Sequence, residues 1–255
     1  MKIASWNVNS LRVRLPQVLA WLAQNRPDVL ALQETKVADD QFPVTAFADH
    51  GWYVCYSGQK TYNGVAVVSR NPVTEVTTEI AGLAGPERRV LTVTIDGVKL
   101  YNLYVPNGKA VGSDSYHDKL DWLARLRDHL ATEPMTSRPI AVVGDFNIAP
   151  ADADVHDPTV WAGAIHCSQA ERTALTDLQQ LGLTDTFRQF EQPAGSFSWW
   201  DYRGAAFPRN RGLRIDLVLA SPPLAAATNR SWIDRGPRGE QRPSDHAPVA
   251  ATFEA

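Results

Sequence analysis

Cysteine is nearly absent. Cys55 and Cys167 are the only two in 255 residues, far apart and in no spacing with histidine, so neither a zinc site nor a disulfide framework is suggested. A reducing compartment is the expectation. Also missing is any run near the ~18 apolar residues that cross a bilayer. The amino-terminal segment, with Lys2, Asn7, Asn9 and Arg12, lacks the apolar stretch of a signal peptide. These absences predict a soluble, cytoplasmic protein with no membrane partner. Basic charge is not in excess: Lys plus Arg is 25 and Asp plus Glu is 28, a net charge of −3. A uniformly basic nucleic-acid coat is excluded, a local basic patch is not. No linker, internal repeat or low-complexity tract interrupts the chain, so residues 1–255 are expected to form one domain. With 44 % apolar residues, the chain is too rich in core formers for disorder.

What is present is a strongly punctuated pattern of short apolar segments. Lys2 to Trp6 reads as a strand, and Leu15, Val18, Leu19 and Leu22 fall at helical spacing with Pro16 expected in the first turn and Pro27 past the end. Val29 to Leu32 is a near-continuous apolar run, the mark of a strand covered on both faces. Strands are also expected at Trp52 to Tyr56, Gly64 to Val68, Val90 to Ile95 and Val98 to Val105, the last two joined by a hairpin turn at Asp96 and Gly97. Leu120, Leu123, Leu126 and Leu130 make the stretch from Asp114 to Leu130 an amphipathic helix. A strand from Ile140 to Val143, a helix from Glu171 to Gln180, a strand from Leu213 to Leu219, a break at Pro222 and Pro223 and a strand from Ala247 to Phe253 complete the reading. The most economical layering is α/β: two sheets packed face to face with helices outside.

Polar residues gather where these strands end. Asn7 follows Trp6, Glu34 follows Leu32, Asp145 and Asn147 follow Val143, and Asp245 with His246 precedes the final strand. Taken singly, Asn7, Glu34 or Asp145 reads first as a turn, loop or helix-start residue. Asp216 is different, because it interrupts the apolar run Leu213 to Leu219 on the face shared with Val218, where a carboxylate needs a partner or a wet site. Carboxylates and amides collected at the ends of one sheet's strands would repel each other unless a cation sits among them. A hard divalent ion, which takes oxygen ligands, is the simplest answer. His246 has too few His or Cys neighbours for zinc and is better used as a His orientated by a carboxylate.

The strings around these residues are SWNVNSLR at Asn7, LQETK at Glu34, NLYVPNG at Tyr104, GDFNIAP at Asp145 and Asn147, LRIDLVLAS at Asp216, and PSDHAPV at Asp245 and His246. Together, and in this order, they resemble the exonuclease III branch of the endonuclease/exonuclease/phosphatase superfamily. The resemblance implies a four-layer α/β sandwich of two packed mixed β-sheets flanked by helices, with the active site at one open end. It implies that Glu34, with Asn7 and Asp245, holds Mg2+ or Mn2+. Asp145, supported by Asn147, would position and deprotonate the attacking water. His246, orientated by Asp216, would contact the scissile phosphate with Tyr104, and Asn107 and Asn147 would add donors. Whether Asp145 or His246 is the base, and whether one metal or two is used, stays open.

Between Trp199 and Arg214 lie Trp199, Trp200, Tyr202 and Phe207 among Arg203, Arg209, Arg211 and Arg214. Aromatics interleaved with arginines suit a loop that wedges beside bases and grips phosphates. Trp200 is the expected wedge, and Arg203, Arg209 and Arg214 the expected contacts. The resemblance is weakest between Ala151 and Ala170, where His166 stands at a position the family commonly fills with a small residue. If that stretch lines the pocket for a base-less sugar, the imidazole would hinder its entry.

The expected function is therefore a Mg2+-dependent DNA-repair phosphodiesterase, a 3′ to 5′ exonuclease and 3′-end cleaner. Its partner would be double-stranded DNA with 3′ ends, gaps or abasic sites, and a monomer is expected. Abasic-site (AP) endonuclease activity is the close alternative. A lipid or small-molecule phosphoesterase, or a DNA-binding module with a decayed catalytic set, are more distant ones.

Overall fold

The computed structural model describes residues 1–80, 83 and 86–254. Its strands are β1 (Lys2–Asn7), β2 (Val29–Gln33), β3 (Tyr53–Ser57), β4 (Val65–Ser69), β5 (Thr74–Thr77), β6 (Val90–Ile95), β7 (Val98–Tyr104), β8 (Ile140–Asp145), β9 (Thr184–Asp185), β10 (Asp216–Ala220), β11 (Thr228–Ile233) and β12 (Val249–Phe253). The helices are α1 (Leu11–Asn25), α2 (Val44–Ala48), α3 (Asp114–Leu130), α4 (Pro158–Trp161), α5 (Gln169–Gln179) and α6 (Pro222–Ala226). One six-stranded sheet runs β11-β12-β1-β2-β4-β3 and the other β5-β6-β7-β8-β10-β9. Each contains one parallel pair, β1 with β2 and β7 with β8, and these are the pairs joined by a long helix, as a parallel crossover requires.

Strands with two covered faces explain the continuous apolar runs. Ile3, Val29, Ala31, Val65 and Val67 of the first sheet meet Leu91, Val93, Leu100, Ala141, Val143 and Val218 of the second in a central core. The alternate residues Ala4, Leu30, Leu32, Ala66 and Val68 pack outward under α1. On the other side Tyr101, Leu103, Val142, Leu217 and Leu219 pack against Leu123, Leu126 and Leu130 of α3 and Leu175 and Leu178 of α5. The result is the expected four layers.

Several boundaries differ from expectation for physical reasons. Helix α1 begins five residues before Pro16, because Ser10 and Leu11 donate their N–H groups to the carbonyls of Glu34 and Thr35 at 2.8 and 2.9 Å and so start the helix directly after β1. Pro16 lies inside it, at the loss of one backbone bond. Pro222 and Pro223 open α6 rather than break the chain, since the first turn of a helix needs no N–H. Strand β12 starts after Pro248, which cannot donate to a ladder. The hairpin at Asp96 and Gly97 is as expected, with φ of 48° and 83°, the left-handed pair that matches strand twist.

Register decides where the polar residues go. Tyr104 of β7 pairs with Asp145 of β8, and Asp145 pairs with Asp216 of β10. Asn7 of β1 pairs with Gln33 of β2, immediately before Glu34. Both rows lie at the same end of the stacked sheets, since Asn7 and Asp145 are in direct contact.

Candidate active site

Asn7 is the hinge between the two rows. Its Nδ2 donates to Glu34 Oε1 at 2.8 Å and to Asp145 Oδ2 at 2.9 Å, while its Oδ1 accepts from the Asn9 backbone at 3.0 Å. Asp145 is buried. The backbone N–H of Asn147 donates to its Oδ1 at 2.9 Å, and Asn147 Nδ2 reaches its Oδ2 at 3.3 Å. Asn107 Nδ2 donates to Asn147 Oδ1 at 3.2 Å. On its other side, His246 Nε2 stands 3.7 Å from Asp145 Oδ2, and its Nδ1 bonds Asp216 at 2.9 Å. Ser198 Oγ donates to Asp216 Oδ2 at 2.6 Å and accepts from the backbone of Ile215 and Asp216, which fixes the carboxylate.

The electrostatics follow from burial against pairing. Burial alone would lower the His246 pKa, but the Asp216 and Asp145 carboxylates outweigh it and raise it to about 10, so the ring is an imidazolium near neutrality. Burial pushes Asp145 up; the His246 cation opposes this and Asp216 reinforces it. Glu34 is pulled the other way. Burial opposes its ionisation, but Lys36 at 2.9 Å and the Asn7 amide hold its carboxyl below the usual range. Tyr104 is raised well above the ordinary phenol by burial and by Glu34 and Asp145, so it stays a neutral donor, bonded to Glu34.

Ligand atoms of Glu34, Asp145 and His246 lie within 4.8 Å of one another. Two carboxylates that share one amide donor, one of them short of compensation, suit a hard divalent cation with oxygen ligands. A single protonated imidazole does not suit zinc. Asp245 lies outside that trio: its Oδ1 accepts from Asn9 Nδ2 and its Oδ2 from the Trp199 indole, at 2.9 and 3.0 Å. Asn9 in turn accepts from Lys36 Nζ at 2.6 Å, so Asp245 and Glu34 are joined through Asn9 and Lys36. Neither of these two, nor Ser198, was expected; a polar side chain on a loop carries no signal of what it will meet.

Two expected DNA contacts are corrected. Trp200 is 0 % exposed, and its indole donates to Asn210. Phe207 lies edge-on to its ring, and Arg235 stacks on both, so it anchors the loop and cannot wedge into DNA. Trp199 faces the site instead, since successive residues of an extended segment point to opposite sides. Arg214 is also buried. It is held by Asp154 at 2.6 Å and Asp185 at 2.7 Å and stacked on Phe187, so it is a core cation rather than a phosphate contact. Arg203, whose side chain is 89 % exposed and paired with Asp201, and Arg209 do face outward. His166 is buried between the rings of Trp161 and Trp199, and its Nδ1 bonds the Asn147 carbonyl at 2.6 Å. Burial and the nearby Lys119 lower its pKa to about 4, so the ring is neutral near pH 7. Among the described residues no helix is long and apolar enough to cross a membrane.

Known proteins resemble this chain in sequence and fold. Residues 4–246 match the family model described as Endonuclease/Exonuclease/phosphatase family. The curated exodeoxyribonuclease III of Haemophilus influenzae is 34 % identical over 99 % of this chain and 100 % of its own length. The solved 3′ phosphatase NExo from Neisseria, bound to product DNA hairpin, superposes with a TM-score of 0.97 at 48 % identity over 100 % of both chains. An AP endonuclease from Archaeoglobus fulgidus does so with a TM-score of 0.95 at 36 % identity, again over 100 % of both chains. The six motifs, the paired sheets and these likenesses agree, and the chain belongs to the Endonuclease/Exonuclease/phosphatase family.

Proposed function

We propose that the protein is a divalent-metal-dependent nuclease, acting as one catalytic unit on double-stranded DNA, with 3′ to 5′ exonuclease and 3′-end processing as its main activity. The observation that carries this reading is the pairing of an imidazolium, His246, with a buried carboxylate, Asp145, at 3.7 Å beside Glu34. A phosphodiester is already negative, so hydroxide meets repulsion, and the site must both neutralise charge and aim the water. Mg2+ or Mn2+ held by Glu34 with Asn7 and the neighbouring Asp145, and with Asp245 behind them, would supply Lewis-acid neutralisation of the phosphate. His246, held toward its charged form by Asp216 and Asp145, donates to a phosphate oxygen rather than serving as the base. That role falls to Asp145, which takes the proton of the water it orients as the bond between phosphorus and O3′ breaks. Asp216 holds His246 in its donating orientation. Tyr104, Asn107 and Asn147 are neutral donors to the charge that develops. Arg203 and Arg209 would grip flanking phosphates.

His166 separates exonuclease from AP endonuclease. Its ring lies beside two tryptophans and is tied to a carbonyl, so it would occupy the space a base-less sugar needs, while a 3′ terminal nucleotide does not require it. The NExo relatives, described as a 3′ phosphatase and a 3′-5′ exonuclease, support this reading, and the Archaeoglobus AP endonuclease is compatible with the alternative. The test digests end-labelled duplexes, one with a recessed 3′ end and one with an internal abasic analogue, with magnesium and with chelator. Metal-dependent release of nucleotides from the 3′ end and weak internal nicking are expected. His166→Ser should raise nicking relative to trimming about tenfold or more, a change of at least about 1.4 kcal/mol in discrimination; an unchanged ratio would remove His166 from specificity.

A further inference from the structure

Lys119 of α3 has no exposed surface, and all three of its donors are used. Nζ donates to the Asn147 carbonyl at 2.7 Å and the Asn107 carbonyl at 3.2 Å, and pairs with Glu171 Oε1 at 2.5 Å. Glu171 passes the connection on: Oε1 accepts the His166 backbone N–H at 3.1 Å, and Oε2 accepts from Ser168, the residue that caps α5. The Lys119 stem lies beneath Gly108, where an added Cβ would stand 3.0 Å from Cδ. One ammonium thus ties together the loops that carry Asn107, Asn147 and His166.

A buried ion pair is poor evidence of a stabilising role, because the desolvation of both charges offsets their attraction and apolar pairs of similar volume often do as well. What an apolar pair cannot do is hold two carbonyls at set positions. Asn147 and His166 both have left-handed backbones, with φ of 52° and 70°, a conformation non-glycine residues keep only when their surroundings over-determine it. We propose that Lys119 is a positioning residue for the hydrolysis: with Glu171, it fixes the Asn107 and Asn147 amides against the phosphate site and seats His166 beside them. This rests on the nuclease reading above.

The experiment compares wild type with Lys119→Met and with the double variant Lys119→Met, Glu171→Gln, in which glutamine keeps an acceptor for His166 and no charge is left unpaired. Folding is followed by circular dichroism melts, and kinetics on a recessed 3′ end at saturating magnesium and fixed salt. The double variant should melt within a few degrees of wild type, with kcat lowered about 100-fold, the size expected of a misplacement near 1 Å, and KM within about threefold. A folded double variant with wild-type kcat, or a loss carried by KM, overturns the proposal. Failure of both variants to fold would make Lys119 a structural strut and overturn it as well. Wild-type protein inactive on every DNA substrate would withdraw the nuclease reading itself, a distinct result.

Discussion

Asp145 and Asp216 are the same residue type on adjacent strands, in register with each other, and their surroundings give them different work. Asp216 accepts from Ser198 and His246 and serves as a fixed counter-charge. Asp145 is fully buried among other acids, so a bound cation and an incoming water have most to offer it. Asp145→Asn keeps the shape and removes the proposed base, and should lower kcat by about 10²–10⁴-fold while DNA binding survives, as gel shift and single-turnover kinetics would show. His246 gives a pH prediction. Its folded pKa of about 10 exceeds the ordinary 6.5, so its contribution to stability is complete below pH 6.5 and is lost as pH rises through about 10. In metal-free protein the difference in Tm between wild type and His246→Gln should narrow steadily from pH 6.5 to 10; a constant difference would contradict the assignment.

At the scale of elements, the site depends on β7 and β8 approaching more closely than side chains allow. Gly144 has a φ of 144°, and a Cβ there would stand 1.9 Å from the Leu103 carbonyl oxygen. Gly144→Ala should cost about 3 kcal/mol or more in chemical denaturation and displace Asp145, its neighbour. Most of the element pattern was legible in sequence because it follows from local rules. The helix Asp114–Leu130, the strand Val90–Ile95 and the left-handed turn at Asp96 and Gly97 appear where periodicity and turn chemistry put them. The short strands β5, β9 and β11 were not foreseen. β5 is exposed throughout and β9 has two residues; such segments are strands only because a neighbouring edge offers them hydrogen bonds.

For the molecule as a whole, the net charge of −3 leaves DNA binding to locally placed cations, and the fold decides which arginines are available. Arg209 is exposed and Arg214 is not. Arg209→Ala should reduce the slope of log affinity against log salt by about 1 with little change in Tm. Arg214→Gln should leave that slope alone and cost about 3–5 kcal/mol in stability, because Asp185 would be left buried without its partner and Asp154 with Arg188 alone. Salt titrations and thermal melts on the two variants distinguish these outcomes.

What the sequence determined by itself is which carboxylates and amides stand where buried apolar strands end or are interrupted, because apolar periodicity sets where each strand stops. Only the tertiary structure decided orientation. It turned Trp200 inward and Trp199 toward Asp245, drew Arg214 into the core, and set Lys119 beneath Asn107 and Asn147. Which way a side chain on an irregular loop points depends on the partners that packing brings to it from distant parts of the chain, and no local pattern encodes those.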